Sequence, residues 1–444
     1  MLNIKKWFGF GTKSAGGPVA YHVPPGSFME LAFSGGKLTD TKAFDLYRKN
    51  STIATAVDMI AGAIEQIKPV IRFKDGTVVD DHEALTLLRQ PNGFETYQEF
   101  IGKVARHYLV THDCHIIGLG GLNRLPIEMY AAKPFNVSAE ADPKDGYPKK
   151  YRVQNGQGSG TYNREETTAG SSVKFVDGLF KQIYHIMGFS SSTSDINGDS
   201  PLVAAALEAK QQIQGRVHNL SVLNNGGRLS LIFTFKDDLK INEDEQRLRS
   251  KLINEQFAGA EKAGKIASIS GPDASIVEVG KSNKDMDFAQ LDKIAGQAIY
   301  MRYNIPLPLV STDASTYNNI ENSIVYLYQH TVLPTFTTLF SGISKFLLPR
   351  MGIDPAETEI TYDETTIRPL MTRLLTELKL RKEINIETIN ELRSFIPNRE
   401  DVDGGDVIYQ TAANVPLGSD VFEDATTSPE DKAKAYMLER DNNN

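Results

Sequence analysis

The densest group of metal-binding residue types lies between positions 107 and 115. Imidazole, carboxylate and thiolate groups are the ligands that zinc prefers, but zinc sites hold them at characteristic spacings. The spacing here matches no common zinc pattern, and the group falls where a helical pattern gives way to the strand-like sequence CHIIGLGG. A turn at the entry to a strand is therefore favoured, and a metal site at His112, Cys114 and His115 stays open. The members are His107, His112, Asp113, Cys114 and His115.

A second candidate for chemistry is the sequence Gly280-Lys281-Ser282, which matches the end of a phosphate-binding P-loop. The motif needs a glycine five positions before Gly280, and Ser275 stands there. The missing glycine matters because the loop wraps phosphate with backbone N–H groups in conformations that a side chain obstructs. The run Gly118–Gly121 likewise lacks the third glycine and the following helix of a dinucleotide site. The sequence thus predicts no enzyme activity and no cofactor.

Composition limits the class of protein. The chain has 444 residues, of which 40% are hydrophobic and 23% charged, enough for two or more folded domains. Its only cysteine, Cys114, excludes an intrachain disulfide and fits a reducing cytoplasm. No uninterrupted apolar run approaches the roughly 18 residues of a membrane span. The net charge of -8 argues against a repressor or nuclease that grips DNA, but suits a channel that must not retain it.

Two segments predict a pair of equally long helices. The first begins at the N-cap Ser200 and ends near Asn225, and the second ends at Pro306 and Pro308. Apolar residues recur in both at helical spacing. They are Leu202, Ala206, Ala209, Ile213, Val217 and Leu220 in the first helix, and Leu291, Ile294, Ala298, Met301 and Ile305 in the second.

Between these helices the pattern predicts a small β-α-β-β module. A strand alternates through Leu229–Phe235, a helix is capped by Asn242 with Glu245, and the strands KIASIS and SIVEVG follow. After the second helix comes a polar loop, and then one long helix from Asn319 that should kink at Pro334. Its aromatic residues are expected to pack in a core rather than on nucleic-acid bases. Earlier in the chain, residues 154–172 are expected to form an exposed loop.

In this order, the segments resemble the portal proteins of tailed bacteriophages, which form the ring through which the genome enters and leaves the capsid. The resemblance covers the chain from about Asn50 to Gly418, and its specificity lies in the order of the segments. One departure is HDCH at 112–115, where the family usually reads more like GNAY. The segments are HEALTLLRQPNGFETYQEF, HIMGFSSSTSDINGDSPL, NNGG, YNIPLPLV, STYNNIEN, INIETINELR and DGGDVIYQTAANVPLG.

The resemblance implies an α+β portal fold that assembles as a ring. Its parts would be a flexible N-terminal arm (1–40), a mixed α/β wing (41–199), a stem helix (200–225), a β-α-β-β clip (226–284), a second stem helix (285–305), a tunnel loop (306–319), the kinked wing helix (320–384), and a helical crown with an acidic, partly disordered tail from Asp401 (385–444).

The resemblance also implies which residues meet DNA. Those of the tunnel loop are Val310, Ser311, Thr312, Asp313, Ala314, Ser315, Thr316, Tyr317, Asn318, Asn319 and Glu321. On the stem helices, Lys210, Arg216, Lys293 and Arg302 are candidates for the channel wall. Solvated or salt-bridged positions are favoured for each of these four, because surface charges usually have no specific role.

The implied partners are further copies of the chain in a ring of about twelve, double-stranded DNA in transit, the large subunit of the terminase, the major capsid protein or scaffold, and a head-tail adaptor, with no membrane. The implied location is the portal vertex of the virion, after assembly in the host cytoplasm. Two alternatives remain. A nucleotide-dependent DNA translocase would need an intact P-loop and an acidic magnesium-binding motif, and a soluble bacterial binding protein would form no ring.

Overall fold

The computed structural model has a mixed α and β fold. It divides into two compact units, one formed by Met1–Gln66 and Asp81–Ile360 and the other by Ile67–Asp80 and Thr361–Asn444. The described residues are 38–120, 126–141, 148–155, 158–164, 180–191, 196–224, 230–235, 251, 266–267, 274–279, 288–311, 317–384, 387–396 and 399–408.

In the described part of the first unit, the first four α-helices are α1 (Asp40–Lys49), α2 (Ser51–Glu65), α3 (Glu83–Arg89) and α4 (Tyr97–Thr111). Side chains cap their N-termini, including a reciprocal capping box between Thr96 and Glu99 at α4. Helix α4 ends at His112, which adopts the left-handed conformation with φ 59°. Helices α2 and α4 pack through fully buried aliphatic and aromatic side chains. These include Ile53, Val57, Ile60, Ile64, Phe100, Ile101 and Val104.

A six-stranded sheet follows, in the order β4-β3-β8-β7-β6-β5. Neighbouring strands are antiparallel except the parallel pair β7 and β8. The prediction of a loop over 154–172 was wrong for part of this range, because Gly158–Arg164 is a strand paired with the preceding one. Because Asn155 pairs with Gly158, two residues separate the strands in the sequence, and the first of them is Gly156, a residue type favoured at that position of a two-residue hairpin loop. The strands are β3 (Asp113–Gly120), β4 (Pro126–Ala132), β5 (Val137–Ala141), β6 (Pro148–Asn155), β7 (Gly158–Arg164) and β8 (Phe180–Met187).

The two predicted helices are present as α5 (Ala206–Asn224) and α6 (Phe288–Arg302). Helix α5 starts later than predicted, because Pro201–Val203 form a separate 3-10 turn. The Ser200 hydroxyl accepts a hydrogen bond from the N–H of Leu202 and donates one to the carbonyl of Val110. Ser200 thus ties this turn to the end of α4 instead of capping α5.

The segment between α5 and α6 contains the three predicted strands, β9 (Ser230–Phe235), β10 (Ile266–Ala267) and β11 (Ala274–Val279). The central strand β9 pairs with β10 in parallel and with β11 antiparallel. The helix predicted at Asn242 and Glu245 lies outside the described residues.

One helix runs without interruption over Asn319–Met351. It contains most of α7 (Tyr317–Leu327), a π-helical segment (Tyr328–Val332) and α8 (Leu333–Leu347). The π-helical irregularity falls just before Pro334, where a kink was predicted, because proline lacks the N–H and its ring crowds the preceding turn. By length and composition this helix is apolar enough to cross a membrane, but 61% of its most apolar window is buried inside the structure, as in a core helix.

The expected core role of the aromatic residues in this helix is confirmed for three of them. Phe336, Phe340 and Phe346 are all at most 1% exposed, and the first two stack at 3.9 Å between ring centroids. Tyr326 differs, because 45% of it remains exposed.

The second unit contains β1 (Pro69–Phe73), β2 (Val78–Val79), α9 (Arg368–Ile384) and α10 (Ile389–Ser394). Strand β12 (Thr358–Tyr362), within which the first unit ends, completes a sheet in the order β12-β1-β2. The tail was predicted to be partly disordered from Asp401, and its first residues are held by Asn390, which bonds the backbone of Val402 and Gly405 and the carboxylate of Asp406.

Candidate functional site

The cluster of metal-binding residue types forms a buried hydrogen-bonded network. Asp113 accepts hydrogen bonds from His185 Nε2 at 2.8 Å and from the N–H of Gly198 at 2.9 and 3.0 Å, and Tyr151 lies 3.3 Å from His185 Nδ1. The rings of His115 and His185 stack at 4.2 Å. In the described part of the chain, no three His, Cys, Asp or Glu side chains converge as a metal-binding group.

Two buried histidines of this region predict acid sensitivity. Burial, reinforced by Lys103 and Lys133, lowers the pKa of His107 to about 4, and burial also lowers the pKa of His115. Between pH 6.5 and 4 the unfolded chain therefore binds more protons than the folded chain, so stability falls as the pH falls. We expect a loss of about 1.4 kcal/mol per pH unit from His107 in this window.

Urea unfolding across this pH range measures the effect. The His107→Leu variant should show a shallower decline of the unfolding free energy between pH 6.5 and 4 than the native chain. Parallel curves for His107→Leu and the native chain would contradict this assignment.

The P-loop candidate has the wrong backbone for phosphate. Ser275, at the position of the motif's first glycine, lies in strand β11 and pairs with Thr234 of β9. Residues 275–279 are therefore an extended strand rather than a loop that wraps an anion. Gly280-Lys281-Ser282 lie outside the described residues. The Gly118–Gly120 run also lies in a strand, which another strand follows.

Helices α5 and α6 pack closely against each other. The carboxylate of Asp292 accepts two hydrogen bonds from Arg216, at 3.0 and 3.2 Å, and its backbone carbonyl accepts one from Gln212 at 2.9 Å. Gly296 lies opposite Gln212, and a Cβ at this glycine would come within 3.1 Å of the Gln212 amide nitrogen. Small residues thus allow the two helices to approach, and polar pairs fix their register.

Three of the five residues of the apolar stripe predicted on the second helix face outward, whereas Ala298 is partly buried and Ile305 is buried. The residues that α6 buries within the chain are Ala295, Gly296 and Ile299. In contrast, Ile294 is 53% exposed and Met301 is 66% exposed, and Leu291 is 39% exposed. We call Leu291, Ile294 and Met301 the outer stripe of α6.

Asn304 holds the end of α6 against the long helix. It adopts φ 54°, which ends α6 before Pro306. Its carbonyl accepts a hydrogen bond from Thr331, and its side chain contacts the carbonyl of His330 and the hydroxyl of Tyr326. The two helices that flank the predicted tunnel loop are therefore joined at its base.

Only the ends of the predicted tunnel loop are described. Leu307–Leu309 form a 3-10 turn, and the N–H of Ser311 bonds the carbonyl of Leu307. Val310 and Ser311 are partly exposed, and Asn319 and Glu321 are exposed on α7. Residues 312–316 and the side chains of Tyr317 and Asn318 lie outside the described part, so the contacts of Thr312, Asp313, Ala314, Ser315 and Thr316 stay predictions.

The four stem cations have partners within the chain. Arg216 bonds Asp292 and the hydroxyl of Ser51, and Arg302 donates to the carbonyl of Pro201 at 3.1 Å. Lys210 and Lys293 also interact with neighbouring groups. A position on a channel wall remains a prediction for each of them.

Sequence reasoning missed two residues that organise this region. Asn50 caps α2 and also donates to Gln212 and to the carbonyl of Ala209, so it joins α2 to α5. An asparagine before Ser51 is an N-cap signal, but its second role depends on a helix about 160 residues away. His185, the partner of Asp113, gave no local signal.

A family model described as the phage portal protein matches residues 51–395, which is most of the chain. The chain belongs to the phage portal protein family. Its function is therefore that of a phage portal protein, and the alternative of a nucleotide-dependent translocase has no support. The match includes α5, α6, the loop between α6 and α7, and the long helix.

The chain is also similar to individual proteins. An uncharacterized protein of Rickettsia bellii (strain RML369-C) is 26% identical over 356 residues, covering 79% of this chain and 87% of that protein. The neck of an empty gene transfer agent particle, computed with C6 symmetry, has a TM-score of 0.59 at 20% identity and covers 83% of this chain and 98% of the other. The neck of the native particle, computed with C12 symmetry, has a TM-score of 0.57 at 20% identity and covers 84% and 100%. These two structures share the fold of this portal-family chain.

Proposed function

We propose that this chain forms a ring of twelve copies at one vertex of a capsid and that double-stranded DNA passes through the ring. The observation that carries the proposal is the family match over residues 51–395. A similar chain occurs in a particle neck computed with C12 symmetry, which supports twelve copies. The site of action is the virion, after assembly in the host cytoplasm.

The outer stripe of α6 supports assembly by side-to-side contact. Helices at a subunit surface usually keep such an apolar stripe covered. A heterologous contact that repeats around an axis covers every copy of the stripe when the ring closes. In this arrangement α5 and α6 form the stem, and each α6 packs on the adjacent copy.

The loop between α6 and α7 would line the narrowest part of the channel. Its base is fixed through Asn304, and its sequence over Ser311–Asn319 is polar. Asp313 and Glu321 are acidic. Repeated around a ring, they would form a negative collar that keeps phosphate from adhering, which suits a conduit rather than a DNA-gripping protein.

Docking partners follow from the same proposal. The module between α5 and α6 would bind the large terminase subunit during packaging and a head-tail adaptor afterwards. The region of the six-stranded sheet would contact the major capsid protein or scaffold. The packaging enzyme would drive the movement of DNA, and the ring would provide the channel through which the DNA moves.

Deletion of the loop tests the channel assignment. Without Ser311–Thr316 the ring should still form, because the outer stripe and the packed helices remain, but capsids should package or retain DNA poorly. A packaging assay on assembled capsids measures the DNA content. The Asp313→Lys variant should slow packaging in a manner that added salt partly relieves, because salt screens new phosphate contacts.

The matched control for the charge reversal is Asp313→Asn, which removes the negative charge without adding a phosphate contact and should package with little salt dependence. Normal DNA content after the deletion, or a salt-independent defect in Asp313→Lys, would show that this loop does not act on DNA.

The proposal also assigns no enzyme activity to the chain. Because residues 275–279 form a strand, the purified protein should neither bind nor hydrolyse ATP, and Lys281→Ala should leave packaging unchanged. A radiolabelled ATP hydrolysis assay at high protein concentration measures the turnover. ATP hydrolysis that the Lys281→Ala substitution abolishes would contradict the proposal that the chain is a conduit without enzyme activity.

A further inference from the structure

Phe94 is the most exposed large apolar side chain in the described residues. It is 88% exposed, and Ile127 is 68% exposed. A single exposed ring on a mobile loop needs no explanation, but an exposed ring on a fixed backbone pays little entropy when a partner covers it. The contacts of the loop that carries Phe94 therefore decide whether this exposed ring is suited to bind a partner.

Hydrogen bonds fix this loop to the edge strand β4. The side-chain oxygen of Asn92 accepts from the N–H groups of Phe94 and Glu95, both at 2.9 Å. Its amide donates to the carbonyl of Met129 at 2.9 Å, and the N–H of Met129 donates to the carbonyl of Pro91. Ile127 lies two residues before Met129, at a register shift in which Leu119 pairs with Glu128 and Gly120 pairs with Pro126, so Ile127 is exposed although Met129 is buried. Phe94 and Ile127 thus each lie two residues from a residue, Asn92 or Met129, that joins the loop to β4.

A carboxylate follows each of the two apolar side chains in the sequence, Glu95 after Phe94 and Glu128 after Ile127. Burial, the hydrogen bond to Glu128 and the charge of Glu95 raise the pKa of the Tyr130 phenol, so both carboxylates lie near that hydroxyl. Glu99 caps α4 within the same loop region, and Lys103 forms an ion pair with Glu95. Three carboxylates against one ammonium make the surroundings acidic. We call Phe94, Ile127, Glu95, Glu99 and Glu128 the Phe94 surface.

A basic aromatic segment complements this surface. The sequence Lys5–Lys13 reads KKWFGFGTK and carries three lysines and three aromatic rings. It precedes α1 by enough residues to span up to roughly 90 Å, so it can reach a distant part of its own or an adjacent copy. We propose that residues Lys5–Lys13 of this chain bind the Phe94 surface, with aromatic rings on Phe94 and Ile127 and lysines on the carboxylates. The proposal does not depend on ring formation or DNA passage.

Trp7 is the only tryptophan of the chain, so its fluorescence reports on this contact directly. In the full-length protein its emission should be blue-shifted and its quenching by acrylamide slower than in a synthetic peptide of residues 1–13. Phe94→Ser should weaken the docking about tenfold, the cost of losing one anchor of an interface, and move both signals toward the peptide. Phe189→Ser is the matched control, because Phe189 is 77% exposed elsewhere, and it should change neither signal.

Charge reversal tests the second half of the contact. Glu128→Lys and Lys6→Glu should each increase Trp7 quenching, and the double variant should restore part of the protection. Far-ultraviolet circular dichroism confirms that each variant is folded. The proposal is overturned if Trp7 in the native protein is quenched as fast as in the peptide, or if Phe94→Ser and Phe189→Ser have equal effects.

Discussion

Replacing Ile294 and Met301 together by glutamate is expected to convert the ring into single chains. Both side chains belong to the outer stripe of α6, at 53% and 66% exposure in the isolated chain. Covering an aliphatic side chain of this size contributes about 1.5 to 3 kcal/mol, and an unpaired carboxylate in the same position costs more than that contribution. The penalty recurs at every contact between copies, so closure of the ring should fail.

Light scattering at micromolar concentration measures this result. The native protein should have a mass near a dozen 49.1 kDa chains, and the double glutamate variant a mass near one. The double leucine variant at Ile294 and Met301 keeps an apolar stripe and should still form rings. Rings of unchanged mass in the folded glutamate variant would show that α6 does not mediate assembly, and a native protein that stays monomeric at all salt concentrations would exclude a ring.

The second large effect is expected from Asp113→Ala. Asp113 is fully buried and accepts hydrogen bonds from His185 and from the N–H of Gly198. Its removal leaves both donors buried without this acceptor, and removing one partner of such a pair typically costs about 3 to 5 kcal/mol. The unfolding free energy of the first unit, which contains Asp113 and the six-stranded sheet, should fall by that amount.

Urea unfolding followed by tyrosine fluorescence and circular dichroism measures this loss. Asp113→Asn keeps the shape and one acceptor oxygen, so it should lose less stability than Asp113→Ala. The surface control is Asp45→Ala, because Asp45 is 45% exposed and pairs only loosely with Arg48 at 3.7 Å; it should change stability by less than about 0.5 kcal/mol. Equal losses in Asp113→Ala and Asp45→Ala would contradict the role of the network.

The sequence predicted elements well where one periodicity dominates a segment. Helix α6, the long helix with its irregularity near Pro334, and strand β9 all follow apolar spacings of three to four or two residues. It predicted less well where a signal was short. Strand β7 is rich in glycine and polar residues, so its pairing with β6 depends on the hairpin rather than on an apolar face.

Burial was harder to predict than secondary structure. Five apolar residues at the end of this segment were predicted as one stripe, but only Ile305 of them is buried within the chain. The buried residues of α6 itself are Ala295, Gly296 and Ile299, and Gly296 lets α5 approach. A periodic pattern identifies an apolar face without saying which neighbour covers it. Similarly, no local pattern could pair Asp113 with His185, which lies 72 residues further along the chain.

The π-helical turn at Tyr328–Val332 separates two α-helical parts of one helix. A π turn accommodates one extra residue, so it offsets the two flanking α-helical parts by about 100° of azimuth relative to an uninterrupted helix. The direction in which the core-facing phenylalanines of α8 point is consequently independent of the direction in which α7 presents the loop. An ancestral single-residue insertion at this turn would have re-aimed the loop around the helix axis without disturbing a single aromatic contact in the core.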